Sequence, residues 1–430
     1  MDTGDSGPFP GTVDRPPTVP PAEDLIYDWN RPDPDNAWFP ERPVRLNDET
    51  LRDGLQSPSV VSPPPEKRIE VLHLMEDLRI DSADIGLPAA GSHVEAQVLR
   101  IAREIADNRM RIRPNCAART IVADIEPIAR ISDQVGIPIE VAMFIGTSPI
   151  RQYAEDWDLD RLLRLTEAAV TWAADHGVPP MYVTEDTTRT HPDTVRRLYT
   201  AAIEAGARRV VVCDTVGHAT PDGTTRVLRF VRQVIDDTGE DVQLDWHGHR
   251  DRGLSVPNSL TAIEAGADCV HGTAIGIGER CGNTPMDQLL VNLRLLGWID
   301  NDLRALPEYC RLVAEATGMA IPPGYPVVGE DAFRTGTGVH AAAIIKARRR
   351  GDDWLADRVY SGVPAGEYGL RQRVEVGPMS GLSNVVYWLR QHGHEPTSEL
   401  QAAVFRAAKE ARRVLTDGEI ETVIQRAQRP

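Results

Sequence analysis

The feature of this sequence that most constrains its fold is a repeated alternation of short β-type runs with amphipathic helical runs, from about residue 43 to residue 298. Successive β-type runs are separated by roughly 25–35 residues, which is the spacing of strand–helix units. Several helical runs end at a glycine, as at Gly177, Gly206 and Gly266, because glycine favours the position after a helix. Strands that alternate with helices form a parallel sheet. The pattern therefore predicts an α/β fold.

The number of β-type runs narrows this prediction to a single architecture. The runs are VRLNDE, DSADIGL, RMRIRPN, IPIEVAMF, PMYVTE, RRVVVCD, DVQLDWH and ADCVHGTA. Eight strand–helix units are what a closed (β/α)8 barrel requires. We therefore predict an α/β (β/α)8 TIM barrel as the catalytic domain, spanning residues 43–298.

The two flanking segments have different patterns. Residues 1–42 are rich in Pro, Asp and Gly and predict an N-terminal arm, which Trp29, Trp38 and Phe39 would hold against the body or another subunit. Beyond residue 299 the alternation stops and helical patterns dominate, including one at 302–318 and two at 396–428. We interpret 299–430 as a C-terminal helical accessory region that serves as a lid and in dimerisation.

Charge and composition exclude several kinds of partner. The net charge of −17 disfavours a phosphate backbone, so we expect no nucleic-acid partner. No apolar run is long enough to cross a membrane, and the acidic, Pro-rich N-terminus lacks a secretion signal. The five cysteines are scattered without a CxxC pair, which suits a reducing compartment. We therefore expect a cytoplasmic protein.

Polar residues that end the predicted strands are the candidates for chemistry, because barrel active sites lie at the carboxyl ends of the strands. The first strand ends in LNDETLRDGLQ, which places Arg52 and Asp53 at the mouth, although charges there also suit a solvated loop. The seventh strand ends in DWHGHRD, and its His247 and His249 share one face because side chains alternate along a strand. Two imidazoles on one face form part of a divalent-metal site, although a chance His-x-His is common.

Three further strand ends carry candidates. Glu185 follows the fifth strand in a position suited to a general base, although Glu185 or Asp186 could instead cap the next helix, and we expect Asp186 to do so. Thr215 follows the sixth strand and could donate to a substrate carboxylate. After the eighth strand, GIGERCGNTP predicts a ligand-embracing loop that includes Asn283. We interpret its Cys281 as a small packed residue.

Taken together, these motifs resemble a known superfamily. LNDETLRDGLQ, VTEDTTR, DTVG, HGHRDRGLSVPNSLTAIEAGAD and GIGERCGNTP occur in the order found in the HMG-CoA lyase-like metallolyases. Within that group the chain is similar to the 2-isopropylmalate synthase and homocitrate synthase family. RTGTGVHAAAIIKA, VYSGVPAGEYG and GPMSGLSNV resemble that family's second-domain motifs, which the related lyases and aldolases lack. The resemblance therefore favours a synthase, and the alternative is a metal-dependent lyase or aldolase that cleaves a carbon–carbon bond.

The resemblance implies an acyltransferase that converts the acyl group to alkyl on transfer, by condensing acetyl-CoA with a 2-oxo acid to give a 2-alkylmalate-type product and CoA. It implies metal ligation by Asp53, His247, His249 and Asn283, with Mg, Mn, Co or Zn as the divalent ion. The implied catalytic residues are Arg52, Glu185, His340 and Tyr360. The implied substrate-binding residues are Arg52, Gln56, Thr215, Asn115 and Met181. His340 would act from the neighbouring subunit of a homodimer.

Three positions depart from the family's patterns. Ala142 stands where leucine-pathway synthases carry a pocket histidine, Met181 where homocitrate synthases carry an arginine, and Asn115 where they carry a third-strand histidine. The identity of the 2-oxo acid therefore stays open between an apolar or small side chain and a second anion near Arg113 or Arg151. Because the sequence ends soon after the accessory region, we expect no leucine feedback through a further regulatory domain.

Overall fold

Eight parallel strands form a closed barrel in the computed structural model, which describes residues 25–30 and 38–429. The strands are β1 (Arg45–Asp48), β2 (Ser82–Asp84), β3 (Arg113–Arg119), β4 (Glu140–Gly146), β5 (Pro180–Glu185), β6 (Arg209–Asp214), β7 (Gln243–Gly248) and β8 (Cys269–Gly272). Each pairs with its sequence neighbour, and β1 also pairs with β8 through Asn47 opposite His271. The predicted TIM barrel is thereby confirmed.

The third strand begins later than the RMRIRPN run suggested. Arg109 has a φ of 52° and sits in a turn that ends the preceding helix, so the chain reaches the sheet only at Arg113. A charged, left-handed residue at this point belongs to the connection between helix and strand.

Ten helices accompany the barrel within residues 39–321, which form one compact unit. They are α1 (Pro65–Asp77), α2 (Ser92–Asp107), α3 (Val122–Val135), α4 (Pro149–Glu155), α5 (Leu159–Asp175), α6 (Pro192–Glu204), α7 (Pro221–Thr238), α8 (Ser255–Glu264), α9 (Met286–Leu296) and α10 (Leu306–Thr317). Asp158 and Thr220 cap α5 and α7 by accepting backbone N–H groups, which begins those helices at defined residues.

The two faces of strand β7 differ in polarity. Along β7 the buried Leu244 and Trp246 alternate with Asp245 and His247, so that each pair faces one side of the sheet. The apolar pair suits the contact between sheet and helices, while His247 lines a cavity inside the barrel. The alternation thereby brings polar groups into the interior without exposing apolar ones.

The remainder of the chain from residue 322 belongs to a second compact unit. Its elements are α11 (Gly338–Arg349), α12 (Asp353–Arg358), α13 (Leu382–Gln391), α14 (Ser398–Glu410), α15 (Asp417–Ala427) and a parallel pair of two-residue strands, β9 (Arg334–Thr335) and β10 (Arg373–Val374). Val385, Leu389, Val404, Ile420 and Ile424 form a core among the last three helices. The two helices expected at 396–428 are present.

The structural boundary between the units lies at residues 321 and 322, whereas the sequence analysis placed it at 298 and 299. Helix α10 therefore lies in the barrel unit. Most of the predicted N-terminal arm lies outside the described residues, and the described Trp29 is 81% exposed. Within the described parts of the chain, no helix is both long and apolar enough to cross a bilayer.

Candidate metal centre and active site

Three side chains converge at the carboxyl ends of β1 and β7. The Nε2 atoms of His247 and His249 lie 3.2 Å apart. Asp53 Oδ2 lies 4.0 Å from the first of these atoms and 3.7 Å from the second. All three residues are buried, and their potential ligand atoms all lie within 4.8 Å of one another. The structure therefore brings these three predicted residues together.

Local structure places each of the three side chains. His247 and His249 project to the same side because they alternate with Gly248 at the end of β7. Asp53 lies in a tight turn after β1, in which the backbone N–H groups of Arg52 and Gly54 both donate to the carbonyl of Glu49. That turn brings the Asp53 carboxylate back over the barrel mouth.

The chemistry of this triangle fits a divalent metal ion. Asp53 Oδ2 and His249 Nδ1 are buried without a hydrogen-bond partner. Burial, followed by the charge of His247, lowers the pKa of His249 to about 4, which leaves the imidazole neutral as a ligand must be. Burial alone would raise the pKa of Asp53, but Arg52, His247 and His249 together outweigh it and hold the pKa below its ordinary value. Two imidazoles and one carboxylate are a donor set for divalent ions.

Arg52 is fixed beside the triangle by three carboxylates. Its Nε donates to Asp84 Oδ2 at 2.7 Å, its Nη1 to Asp53 Oδ1 at 3.0 Å, and its Nη2 lies 3.3 Å from Glu49 Oε1. Burial disfavours the cation, yet these carboxylates, led by Asp84, raise the pKa of Arg52 above its ordinary value. The guanidinium is therefore a permanent, oriented positive charge next to Asp53.

A cavity of about 300 Å³ opens beside these groups. Its polar side contains Glu49, Arg52, Asp53, His247, His249 and His271. Its other side is apolar and is lined by Leu87, Ala117, Ala142, Phe144, Met181, Val183, Val211 and Cys213. Met181, Val183 and Glu185 alternate along β5 and all reach the cavity, as the period of a strand requires. The cavity thus joins a charged metal-type site to an apolar floor.

Glu185 lines the cavity and does not cap a helix. Burial raises the pKa of its carboxyl above the ordinary value, while Arg151, 4.0 Å away, opposes that rise. The expectation that Asp186 caps the following helix is wrong. Its φ is 61°, its side chain accepts no capping N–H group, and its carboxylate instead accepts from Arg189 and Ser148.

Thr215 and Gln56 also line the cavity, from the ends of β6 and the turn after β1. The Thr215 hydroxyl accepts the Asp186 backbone N–H at 2.8 Å, and this bond leaves the hydroxyl proton free to donate elsewhere. Gln56 is exposed at the cavity rim. The structure therefore brings both predicted substrate-binding residues to the cavity.

Asn283 lies beside His249 through a backbone bridge between the Gly-rich loop and β7. Its Nδ2 donates to the carbonyl of Ile277, and its Oδ1 is buried without a hydrogen-bond partner. The loop packs closely around the Asn283 side chain, because a Cβ on Gly278 would lie 2.2 Å from Asn283 Nδ2. Cys281 in this loop is exposed, so its interpretation as a packed residue is wrong.

Asn283 is not part of this cavity lining, and neither are Asn115, His340 and Tyr360. Asn115 is buried one strand period before Ala117 on β3, and its Nδ2 donates to Asn47 Oδ1 at 2.7 Å. His340 and Tyr360 belong to the second unit, where their rings stack with centroids 4.0 Å apart and both residues are exposed. The structure thus places the His340 and Tyr360 rings in contact with each other.

Sequence reasoning placed Glu49 at the barrel mouth without a role and missed other charged residues of the interior. Glu49 Oε2 lies 2.7 Å from His247 Nδ1, and its Oε1 lies 3.0 Å from His271 Nδ1. His271 Nε2 lies 2.8 Å from Asp245 Oδ2. Arg280 lines the cavity mouth and donates to Asp251 and to the Thr215 carbonyl. A signal was present, because Asp245, His247 and His249 follow one period-two pattern on β7.

Comparison with known proteins agrees with this geometry. Residues 43–313 match the HMGL-like family model. A probable 2-isopropylmalate synthase of Methanopyrus kandleri is 36% identical, across 86% of this chain and 70% of the relative. A homocitrate synthase of the same organism is 33% identical, across 89% of this chain and 92% of the relative. The HMG-CoA lyase structure from Bacillus subtilis, at 19% identity and a TM-score of 0.56, covers 66% of this chain and 96% of its own, and shows a likeness of fold. This chain belongs to the HMGL-like family.

Proposed function

We propose that this chain is a metal-dependent acyltransferase that condenses acetyl-CoA with a 2-oxo acid, and releases CoA and a 2-alkylmalate-type product. The observation that carries the proposal is the Asp53–His247–His249 triangle, placed beside a fixed guanidinium and over an apolar cavity. The names of the curated relatives, which are synthases, support the same activity.

Asp53, His247 and His249 would hold the divalent ion, with Asn283 completing or supporting the ligand set. The buried, unpartnered oxygens of Asp53 and Asn283 support this assignment. When bound, such an ion supplies Lewis-acid polarisation of a carbonyl group. The donor set admits Mg, Mn, Co or Zn.

Glu185 would remove a proton from the acetyl methyl group, because its raised pKa makes it a stronger base than an ordinary carboxylate. The methyl carbon then attacks the keto carbon of the 2-oxo acid, forming one carbon–carbon bond. Arg52 stabilises the negative charge that moves to the keto oxygen. That oxygen takes up a proton, and hydrolysis of the thioester releases CoA.

Thr215 would donate its free proton to the carboxylate of the 2-oxo acid, and Gln56 would contact it from the rim. The side chain of the acid would lie on the floor formed by Ala142, Met181 and Val211, which favours a small aliphatic group over a second carboxylate. Asn115 is engaged with Asn47, so we assign it no direct contact with the substrate.

His340 and Tyr360 would assist the proton transfer from the neighbouring subunit of a homodimer. Their exposure within the second unit supports this, since both rings are open to a partner. The matching second-domain motifs of the sequence support the same assignment.

The decisive experiment measures CoA thiol release from acetyl-CoA, with and without a divalent ion, in the presence of single 2-oxo acids. We expect metal-dependent release with 2-oxoisovalerate or pyruvate and little release with oxaloacetate, 2-oxoglutarate or phosphonate analogues. Strong release with a diacid would overturn the apolar-side-chain assignment alone. Absence of thiol with every acid, together with cleavage of a 3-hydroxyacyl-CoA, would replace the synthase by a lyase.

A further inference from the structure

A chain of charged side chains crosses the barrel interior and ends at the metal centre. We call these five residues the charge chain: Glu140, Arg209, Asp245, His271 and Glu49. Glu140 and Arg209 begin β4 and β6, at the amino ends of the strands, whereas Glu49 follows β1 at the carboxyl ends. All but the partly exposed Glu140 are buried. Carboxylates and cations alternate along the chain, so every buried charge has an opposite neighbour.

Arg209 anchors one end of the charge chain. Its Nη1 donates to Glu140 Oε2 at 2.5 Å, and its Nε donates to Asp245 Oδ2 at 2.7 Å. Burial alone would raise the pKa of Asp245, but Arg209 and His271 together outweigh it and lower the pKa to about 2. Gln243 Nε2 donates to the other Asp245 oxygen at 2.8 Å. Donors from Arg209 and Gln243 therefore fix the Asp245 carboxylate in position.

His271 is the centre of the charge chain. Its Nε2 lies 2.8 Å from Asp245 Oδ2, and its Nδ1 lies 3.0 Å from Glu49 Oε1. An ionised carboxylate can only accept hydrogen bonds, so both ring nitrogens must donate. A histidine that donates from both nitrogens is an imidazolium. Among the residues that the structure describes, only this histidine has a carboxylate oxygen within 3.0 Å of each nitrogen.

Glu49 contacts both His271 and His247, and so connects the charge chain to the metal centre. Its Oε1 is held by His271 and by Arg52, and its Oε2 lies 2.7 Å from His247 Nδ1. The angle of this contact leaves Oε2 without a hydrogen-bond partner, so the contact acts through charge. A negative charge at that distance favours the His247 tautomer with its proton on Nδ1. The Nε2 lone pair then points toward Asp53 Oδ2 and His249.

We propose that His271 is a positioning residue that acts through Glu49 to fix the tautomer and orientation of His247, and so sets the metal affinity of the site. The inference rests on the proposed ligand role of His247. It assigns His271 no contact with substrate and no part in bond making.

The first test measures Co²⁺ binding to the purified, metal-free chain by competition with a chelator, together with the visible spectrum of bound Co²⁺. His271→Gln keeps one donor and one acceptor but leaves one carboxylate without its donor. We expect Co²⁺ affinity to fall by about ten- to a hundred-fold, with a changed spectrum. The matched control is His73→Gln, which removes an exposed histidine paired with Glu104 at 2.8 Å. Unchanged affinity and spectrum in a folded His271→Gln would overturn the proposal.

A double-mutant cycle separates positioning from general structural support. If His271 acts through Glu49, then His271→Gln should cause little further loss of Co²⁺ affinity in a Glu49→Gln background. If the two substitutions cause losses of Co²⁺ affinity that add, the proposed action of His271 through Glu49 is contradicted.

The wild-type chain provides a measurement that does not depend on folding of a variant. With ¹⁵N-labelled histidine, the metal-free protein at pH 8.5 should show one doubly protonated imidazole among its eleven histidines, because an ordinary histidine is neutral there. Eleven neutral imidazoles would refute the charge chain. Metal binding without any thiol release would instead count against the proposed reaction and leave the role of His271 standing.

Discussion

At the scale of single residues, the protonation of Glu185 decides at which pH the proposed reaction runs. Its carboxyl must be ionised to accept a proton, and burial raises its pKa above the ordinary value of 4.5. The active fraction therefore decreases as the pH falls through this raised pKa. Arg151, 4.0 Å away, favours the ionised form and limits the rise.

Replacing Arg151 should raise the pKa of Glu185, because Arg151 favours the ionised carboxylate. We expect Arg151→Gln to move the acidic limb of the kcat profile to higher pH, measured at saturating substrate. The matched control is Arg130→Gln, because Arg130 pairs with Glu95 on the exposed surface. An acidic limb that stays in place, or moves to lower pH, would remove Glu185 from the role of base.

Which site residues could be predicted depended on how local their pattern is. The shared orientation of His247 and His249 could be predicted from the period of one strand. The place of Asp53 at the barrel mouth could be predicted from its position after β1. The contact of His271 with Glu49 joins residues 222 apart in sequence. Only closure of the barrel brings β8 beside β1, so no local pattern indicates that pair.

At the scale of elements, α10 is tied to the first strand by a buried polar contact. The Tyr309 hydroxyl donates to Asp48 Oδ2 and lies 3.1 Å from Thr50 Oγ1. Burial raises the pKa of Asp48 to about 6, although the bonds from Thr50 and Tyr309 oppose that rise. Asp48 therefore needs its donors most when it is ionised.

Tyr309→Phe should lower the free energy of unfolding by about 1–3 kcal/mol, since it leaves a buried carboxylate short of a donor. The folded-state pKa of Asp48 lies above its ordinary value of 3.8, so its ionised form is the costly one, and it dominates above pH 6. The loss should therefore be larger at pH 8 than at pH 5. Urea unfolding at both pH values measures it, and Tyr153→Phe, at a 91% exposed tyrosine, is the control. Equal losses at the two pH values would contradict this account of Asp48.

The elements themselves were largely predictable, because each strand and helix of the barrel has its own period in the sequence. The start of β3 was not, since a left-handed Arg109 adds a turn that has no periodic pattern. The position of α10 within the barrel unit was also missed, because the contact of Tyr309 with Asp48 is long-range.

At the scale of the whole molecule, the proposed dimer predicts complementation between two inactive variants. In the proposed dimer, His340→Ala and Asp53→Ala would damage different halves of one composite site. After subunit exchange at equal amounts, activity should return to about a quarter of the wild-type value, since half the dimers carry one intact site of two. Thiol release measures the recovery.

The control mixture combines Asp53→Ala with His247→Ala. Both changes lie in the barrel, so no mixed dimer can contain an intact site. Failure of the His340 mixture to recover, once exchange has been verified, would place all catalytic groups within one chain.

Closure of the barrel between β1 and β8 has a consequence for the order of events during synthesis. Asp53 of the candidate metal centre follows the first strand, whereas His247 and His249 lie at the end of the seventh. His271, which contacts Glu49, lies on the eighth. A nascent chain therefore cannot assemble the centre until the last strand has emerged from the ribosome and closed the ring. Incomplete chains released from the ribosome would lack a complete metal centre. Metal binding would therefore indicate that the barrel has closed.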